Sequence, residues 1–157
     1  MYQTDWKPHV TVATIVERKA DDGKTEYLMV HEVSENNVVY NQPAGHLDEG
    51  EDLITAAIRE TLEETAWHVE ITAYLGIYHY VATNGITFLR HGFAAKPVFH
   101  EADRRLDHGI IEAPWMSYSK ILEKTDDMRS TTVIQMLDNY RSGERYPLDA
   151  LKIVNQA

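Results

Sequence analysis

The chain contains no cysteine, which excludes disulfide bonds and thiolate metal sites. It is also poor in positive charge, because 15 lysines and arginines stand against 25 aspartates and glutamates, giving a formal net charge of -10. A nucleic-acid surface needs cations opposite the phosphate backbone, so this balance argues against a nucleic-acid partner. It suits a protein that holds divalent cations and uses them to screen a small anionic substrate.

Long apolar runs are missing as well. No segment approaches the length that spans a membrane, and residues 1–10 lack the apolar core of a signal peptide. We therefore expect a cytoplasmic protein without a membrane partner. The length of 157 residues and the hydrophobic fraction of 43% allow one sizeable core. Residues 1–157 are expected to form a single domain, and a monomer is favoured.

Several segments rich in Val, Ile, Thr and aromatic residues predict β-strands, namely residues 8–16, 27–31, 38–40, 71–81 and 86–98. Turn residues at 21–24 predict a hairpin between the first two strands. The Asn-Gly pair at residues 84–85 predicts a second hairpin between the last two. Residues 41–45 are interpreted as a loop, and the sheet as mixed.

Three helices are predicted, over residues 53–64, 117–124 and 131–141. The first lacks Gly and Pro and follows Asp52, which can cap its N-terminus. The apolar faces of the other two need a sheet to cover. Without repeats or linkers, these elements predict an α/β fold around one core.

The first helix concentrates negative charge. At 3.6 residues per turn, Glu60, Glu63 and Glu64 fall within an arc of about 100°. Ile54, Ile58 and Leu62 lie on roughly the opposite side, where we expect them to anchor the helix and hold the acidic face outward. Arg59 precedes Glu63 by one turn and can neutralise and orient its carboxylate.

Such a patch suits Mg²⁺, with Mn²⁺ as the alternative, because hard cations take oxygen ligands and leave coordination positions open for phosphate oxygens and water. Most glutamate clusters are solvated helix faces, and for Glu63 and Glu64 alone that interpretation is favoured.

The spacing of the charged positions favours a functional site over a solvated helix face. The pattern begins with Gly45 and continues after five residues with Glu51. After seven further residues comes the pair Arg59-Glu60, and after two more the pair Glu63-Glu64. This pattern resembles the signature of the Nudix hydrolase family in all its charged positions. Three positions depart from the family pattern, Thr61, Ala66 and Trp67, and they affect packing and the helix exit rather than ligands.

The resemblance covers nearly the whole chain. Residues 7–13, 41–47 and 141–148 are similar to the NudJ phosphatase branch of the family. That resemblance implies a Nudix-type α/β/α sandwich with a mixed central sheet. It also implies hydrolysis of nucleoside diphosphates and triphosphates, and of hydroxymethylpyrimidine or thiamine pyrophosphate, with release of orthophosphate.

By the same resemblance, the side chains of Glu60, Glu63 and Glu64 and the carbonyl of Ala44 correspond to metal ligands. Arg59 corresponds to an orienting cation. Glu51 completes the predicted catalytic set of Glu63, Glu60, Arg59, Glu51 and Glu112.

Glu112 is our choice of general base from residues 107–112, although a glutamate of the signature as the base, or a solvated or structural role for Glu112, stays open.

Candidate substrate-binding residues are Arg90, His46, Arg129 and Lys7, although surface cations usually contact only water. Tyr40, Tyr78, Tyr80 and Phe88 could stack on a base, but aromatic residues at alternating strand positions are more often core.

Three other functions stay open. A Nudix hydrolase acting on ADP-ribose, dinucleoside polyphosphates or coenzyme A shares the same fold. A catalytically silent Nudix binding module is disfavoured because all the signature carboxylates are present. A generic acidic Ca²⁺-binding protein lacks the expected EF-hand ligand pattern.

Overall fold

The computed structural model describes residues 5–154, so residues 1–4 and 155–157 of the predicted domain lie outside it. The first strands are β1 (His9–Lys19), β2 (Thr25–Leu28), β3 (Val30–Ser34), β4 (Asn37–Asn41) and β5 (Ala44–His46). Helix α1 (Leu53–Thr65) follows, and then the long strands β6 (Trp67–Val81) and β7 (Thr87–His100). The remaining elements are β8 (Ile110–Glu112), β9 (Trp115–Ser117), α2 (Tyr118–Glu123), α3 (Thr131–Arg141) and short 3₁₀ turns at Thr125–Asp127 and Leu148–Ala150.

The larger sheet has six strands in the order β6-β7-β1-β2-β9, with β5 also paired to β1. Strands β1 and β7 run parallel, while their other neighbours are antiparallel, so the predicted mixed sheet is confirmed. A smaller sheet has the order β4-β3-β8.

Alternating residues of β1 divide the larger sheet into two apolar faces, as the pleat of a strand requires. Val12 and Val16 belong to the core cluster that contains Ala56 of α1. Ala13 and Ile15 belong to the cluster that contains Met136 of α3. Helices therefore cover both faces, and the predicted α/β/α arrangement is confirmed. Among residues 5–154, no helix combines the length and apolarity needed to cross a bilayer.

Local turn and capping signals located most of these elements. The two predicted hairpins form between β1 and β2 and between β6 and β7, and α3 spans the predicted residues 131–141. Two assignments were wrong. Residues 44–46 are a strand paired to β1, because tertiary pairing recruits a segment too short to show a strand pattern. The predicted strand over residues 27–31 divides at Met29, and β3 joins the smaller sheet.

Helix α1 begins as predicted, with the Asp52 Oδ1 accepting a hydrogen bond of 2.9 Å from the Thr55 backbone N–H. It ends at Thr65, and the following Ala66 caps it with φ 60 and an N–H that donates to the Leu62 carbonyl. The predicted anchoring face is confirmed in part: Ile54 and Ile58 pack against the core cluster, but the fully buried apolar residues of α1 are Ala56 and Ala57. Small side chains let the helix approach the sheet closely, which leaves larger neighbours such as Leu62 only partly buried.

Candidate active site

The backbone of strand β5 lies against two side-chain carboxylates of helix α1. The Ala44 N–H donates a hydrogen bond of 2.8 Å to Oε2 of Glu64. At Gly45, an added Cβ would lie 2.1 Å from the carboxyl carbon of Glu60. Only glycine leaves room for that carboxylate, so Gly45 and Glu60 have to be considered together.

Glu64 is buried, with 8% of its surface exposed. This corrects the prediction that the whole acidic face points outward, because Glu64 lies on the side of α1 that packs beneath β5. Burial raises the pKa of Glu64 well above its ordinary value, although the Ala44 N–H lowers it. Burial also raises the pKa of Glu60, and the negative charge of Asp107 adds to both shifts.

Arg59 holds the remaining acidic groups together. Its Nε donates to Glu51 at 3.0 Å, and its Nη1 donates to Glu60 at 2.8 Å and to Glu63 at 3.1 Å. Its Nη2 donates to the His46 carbonyl at 3.0 Å. Hydrogen bonding from Arg59 is the main cause of the lowered pKa of Glu51. The guanidinium therefore joins the loop before α1 to the acidic face of the helix.

The available donors fit a hard divalent cation. They are carboxylate and carbonyl oxygens, and two of the carboxylates have raised pKa values because burial and neighbouring negative charges oppose ionisation. Within residues 5–154, no three acidic or histidine side chains are already arranged as a metal cluster. Arg59 instead supplies the positive charge that faces Glu60 and Glu63.

A second group of functional side chains lines a cleft of about 140 Å³ beside Ala44 and Gly45. The cleft brings together three of the predicted substrate-binding residues, His46, Arg90 and Arg129. Its other lining residues are Thr11, Asn41, Tyr80 and Phe88. Tyr80 and Phe88 stack with ring centroids 5.1 Å apart.

Arg90 is almost fully buried, with 4% of its surface exposed. Its Nη2 donates to Oδ1 of Asn41 at 3.0 Å and to Oε1 of Gln42 at 2.7 Å. Its buried Nε finds no hydrogen-bond partner among the described residues. Burial lowers the pKa of Arg90 to about 10. Neutral amide oxygens, rather than a carboxylate, thus accept the hydrogen bonds of this cation.

Glu32, Asn41 and Gln42 are polar residues of this region to which the sequence assigned no role. Glu32 is 7% exposed, accepts from Arg129 at 2.9 Å and accepts from Asn41 Nδ2 at 3.3 Å. Gln42 donates to the Val133 carbonyl at 2.7 Å. An acidic residue within an apolar strand was the only sequence signal for Glu32.

Lys7 lies apart from that cleft, in a shallow depression that it shares with His46. His9 is also there, and its Nδ1 lies 2.9 Å from Nε2 of His46. Burial, and then the nearby His9, lowers the pKa of His46. His46 therefore lies between the two concave surfaces.

The acids of residues 107–112 are separated in space. Glu112 is exposed on β8, where its Oε1 lies 3.4 Å from Nδ1 of His31. The Asp107 N–H donates to the Glu63 carbonyl at 3.0 Å, and its charge affects Glu60 and Glu64. The acid beside the cluster is thus Asp107, which sequence reasoning named only as part of the segment.

Comparison with known proteins agrees with this geometry. The NUDIX domain profile matches residues 7–137. The chain is 36% identical to phosphatase NudJ of Shigella boydii serotype 4 over 146 residues, covering 93% of this chain and 92% of that protein.

Among solved structures, a NUDIX hydrolase from Nitrosomonas europaea superposes with a TM-score of 0.88 at 42% identity, covering 94% of this chain and 98% of that one. The NUDIX domain of Shewanella oneidensis NrtR complexed with ADP ribose shares the fold, with a TM-score of 0.73 at 16% identity, covering 90% of this chain and 92% of that one. Profile, sequence and structure agree, so this protein belongs to the Nudix family and is a NudJ-like Nudix hydrolase.

Proposed function

We propose that this protein is a Mg²⁺-dependent phosphatase that cleaves the phosphoanhydride bond of nucleoside diphosphates and triphosphates, and of hydroxymethylpyrimidine or thiamine pyrophosphate, releasing orthophosphate. The observation that carries this proposal is the packing of Glu60 and Glu64 beneath Ala44 and Gly45, with Arg59 beside them. The 36% identity to a phosphatase NudJ supports the choice of reaction.

Glu60, Glu63, Glu64 and the Ala44 carbonyl are the groups proposed to hold Mg²⁺, or Mn²⁺ in its place. When bound, the cation supplies positive charge against the diphosphate oxygens and makes the attacking water more acidic. Arg59 keeps Glu63 oriented while it is also bonded to Glu51 and Glu60. The carboxylates thereby stay close together despite their mutual repulsion.

Hydrolysis requires a base, and we expect it to proceed by direct attack of water without a covalent intermediate on the enzyme. The water oxygen forms a bond to phosphorus, the bridging P–O bond breaks, and the water proton passes to a carboxylate. The sequence favours Glu112 as this base, whereas the position of Asp107 beside Glu63 favours Asp107. Comparing Asp107→Asn with Glu112→Gln separates these two candidates, because only loss of the base should remove most of the turnover.

Substrate binding is assigned to Arg90, Arg129, His46 and Lys7. The first three line one cleft, and His46 joins it to the depression that contains Lys7. We propose that residues 1–157 act as one cytoplasmic domain and as a monomer.

A substrate panel tests the proposed reaction. In Mg²⁺, ADP, ATP, hydroxymethylpyrimidine pyrophosphate, thiamine pyrophosphate and ADP-ribose are supplied separately, and the products are resolved by chromatography. Orthophosphate from ADP, ATP and the two pyrophosphates supports the proposal. Pyrophosphate from ATP, or turnover of ADP-ribose alone, would replace it with a different Nudix activity.

Hydrolysis of a capped diphosphate such as ADP-ribose is the second candidate. The Shewanella structure contains ADP ribose, but its 16% identity supports only the shared fold. A silent binding module is less favoured, because the chain keeps Glu51, Glu60, Glu63 and Glu64.

A further inference from the structure

We propose that the cleft between Arg90 and Arg129 is a subsite for a terminal phosphate, and that it selects diphosphates ending in a free phosphate over capped ones. This inference rests on the proposed function and names the chemical feature that the substrate must carry. It starts from a buried cation whose hydrogen-bond acceptors carry no charge.

The environment of Arg90 is incomplete without an anion. Burying a guanidinium is costly unless it is paired, and its Nη2 is bonded here only to the amide oxygens of Asn41 and Gln42. Its buried Nε lacks a partner among residues 5–154. Glu64 and Glu32 raise the pKa of Arg90 without accepting a hydrogen bond from it, so a phosphate in the cleft would add the directly paired anion that Arg90 lacks.

Arg129 adds a second cation at the same cleft. Its side chain is 49% exposed and bonded to Glu32 through Nη1, which fixes its position while leaving part of the guanidinium accessible. The positive charge of Arg129 lowers the pKa of Arg90, so an anion bound between the two guanidinium groups would relieve their mutual repulsion. Two cations favour a terminal phosphate, which carries more negative charge than a phosphate diester.

The size of the cleft favours a phosphate group over a nucleoside. Its volume of about 140 Å³ is well below the roughly 300–1,000 Å³ of pockets that hold whole small molecules. The stacked rings of Tyr80 and Phe88 form part of the wall of this small space. The cleft also borders Ala44 and Gly45, so a phosphate bound there lies next to the acidic cluster.

Neighbouring groups hold Arg90 in position. Gln42 is 1% exposed and spans from Arg90 to the Val133 carbonyl of α3. Asn41 spans from Arg90 to Glu32, which in turn accepts from Arg129. The two guanidinium groups are therefore fixed before substrate arrives, which lowers the entropic cost of binding an anion.

The test compares ADP with its β-methyl ester, which differ only in the cap on the terminal phosphate. The variants are Arg129→Gln and the conservative Arg90→Lys, and Arg104→Gln is the matched control because Arg104 pairs with Glu101 outside the cleft. Values of kcat and KM in Mg²⁺ are measured for both compounds, together with inhibition by inorganic phosphate. Direct binding of inorganic phosphate is followed by ³¹P NMR, and the Tm of each variant is recorded.

We expect the wild-type protein and Arg104→Gln to prefer ADP by at least about tenfold in kcat/KM. Arg129→Gln and Arg90→Lys should reduce that preference toward one and weaken phosphate binding by a similar factor. A wild-type protein that accepts both compounds equally overturns the proposal. So do variants that lower both kcat/KM values equally while phosphate binding stays unchanged, since that is the result of a purely structural role.

The binding measurement separates this inference from the proposed function. If no phosphoanhydride is hydrolysed but phosphate binding still depends on Arg90 and Arg129, the subsite is supported and the proposed reaction fails. If turnover occurs as proposed but phosphate binding is unchanged in the Arg90 and Arg129 variants, the proposed reaction is supported and the subsite is wrong.

Discussion

Glu64 is a carboxylate with 8% of its surface exposed, and burial raises its pKa well above the ordinary value of 4.5. Its one backbone partner, the Ala44 N–H, offsets only part of the cost of burying the charge. Such a residue destabilises the metal-free protein at neutral pH, although it contributes an oxygen ligand to the proposed metal site.

Replacing Glu64 with Gln should therefore separate stability from activity. In the presence of a chelator at pH 8, the free energy of unfolding should rise on the order of 1 kcal/mol because a buried charge is removed. Turnover in Mg²⁺ should fall by roughly a thousandfold, as expected for loss of a metal ligand. Thermal unfolding and orthophosphate release are the measurements.

The pH dependence of that stability difference has a definite sign. A raised pKa means that protonated Glu64 is favoured in the fold, so its stabilising contribution is complete below the ordinary value of 4.5 and is lost as pH rises through the folded pKa. The advantage of Glu64→Gln in chelator should shrink as pH falls from 8 toward 4.5. An advantage that is constant over this range would contradict the account.

The substitution Gly45→Ala tests whether the Glu60 carboxylate has to lie against the backbone of Gly45. In Gly45→Ala the new Cβ would lie 2.1 Å from the Glu60 carboxyl carbon, so this flexible side chain must move. Turnover should fall at least about tenfold as the proposed metal site is disturbed. The control is Gly23→Ala, in the β1–β2 turn with φ 79 and nothing within 4 Å of the added Cβ. It should cost about 1 kcal/mol of stability from backbone strain and leave turnover unchanged. Equal activity in both variants would contradict a requirement for the Glu60 carboxylate in its position against Gly45.

At the level of helices and strands, local sequence signals predicted where an element begins and ends. Features that depend on tertiary packing could not be predicted in this way. The bounds of α1 follow from capping by Asp52 and from the absence of Gly and Pro, which are properties of the chain itself. Its buried face depends on how closely the sheet approaches, and hydrophobicity alone points to Ile54, which packs against the core but is only partly buried, rather than to the fully buried Ala56. The short strand β5 exists only because β1 is beside it, so no pattern within residues 44–46 could identify it.

Thr61 shows how tightly α1 is packed. It is 0% exposed, and its hydroxyl donates to the Ala57 carbonyl at 2.8 Å, where the family pattern has a bulky aliphatic residue. Thr61→Val should change the free energy of unfolding by less than about 1 kcal/mol, since a similar shape is kept and the lost bond is to an already bonded carbonyl. Thr61→Leu should cost about 1–3 kcal/mol through overpacking. Urea unfolding measures both, and a neutral leucine would indicate space that the structure does not contain.

Some of the spatial neighbours in the candidate site could be predicted from the sequence, and others could not. Glu60, Glu63 and Glu64 share one helix, so helical periodicity predicted their proximity. Arg90 contacts Asn41 from 49 positions away in the chain, through strand pairing that composition does not reveal. For the same reason, the position of Asp107 beside Glu63 could not be distinguished from that of Glu112 before the fold was known.

At the scale of the whole molecule, a net charge of -10 and the raised pKa values of Glu60 and Glu64 predict that metal binding stabilises the fold. At a Mg²⁺ concentration about 100 times its Kd, the gain in the free energy of unfolding is about 2.7 kcal/mol. Differential scanning calorimetry with Mg²⁺ and with chelator measures this gain. Glu64→Gln should lose most of it, whereas Gly23→Ala should keep it. A gain of equal size in Glu64→Gln would indicate nonspecific screening of surface charge.

Whether the acidic cluster works through a cation is tested by the rate of orthophosphate release from ADP by the wild-type protein, measured with Mg²⁺, with chelator, and after Mg²⁺ is restored. We expect release in Mg²⁺, loss of release in chelator and recovery when the cation returns, with little release by Glu64→Gln under any of these conditions. Release that continues at the same rate in chelator, or in Glu64→Gln, would contradict a cation-dependent reaction at the acidic cluster.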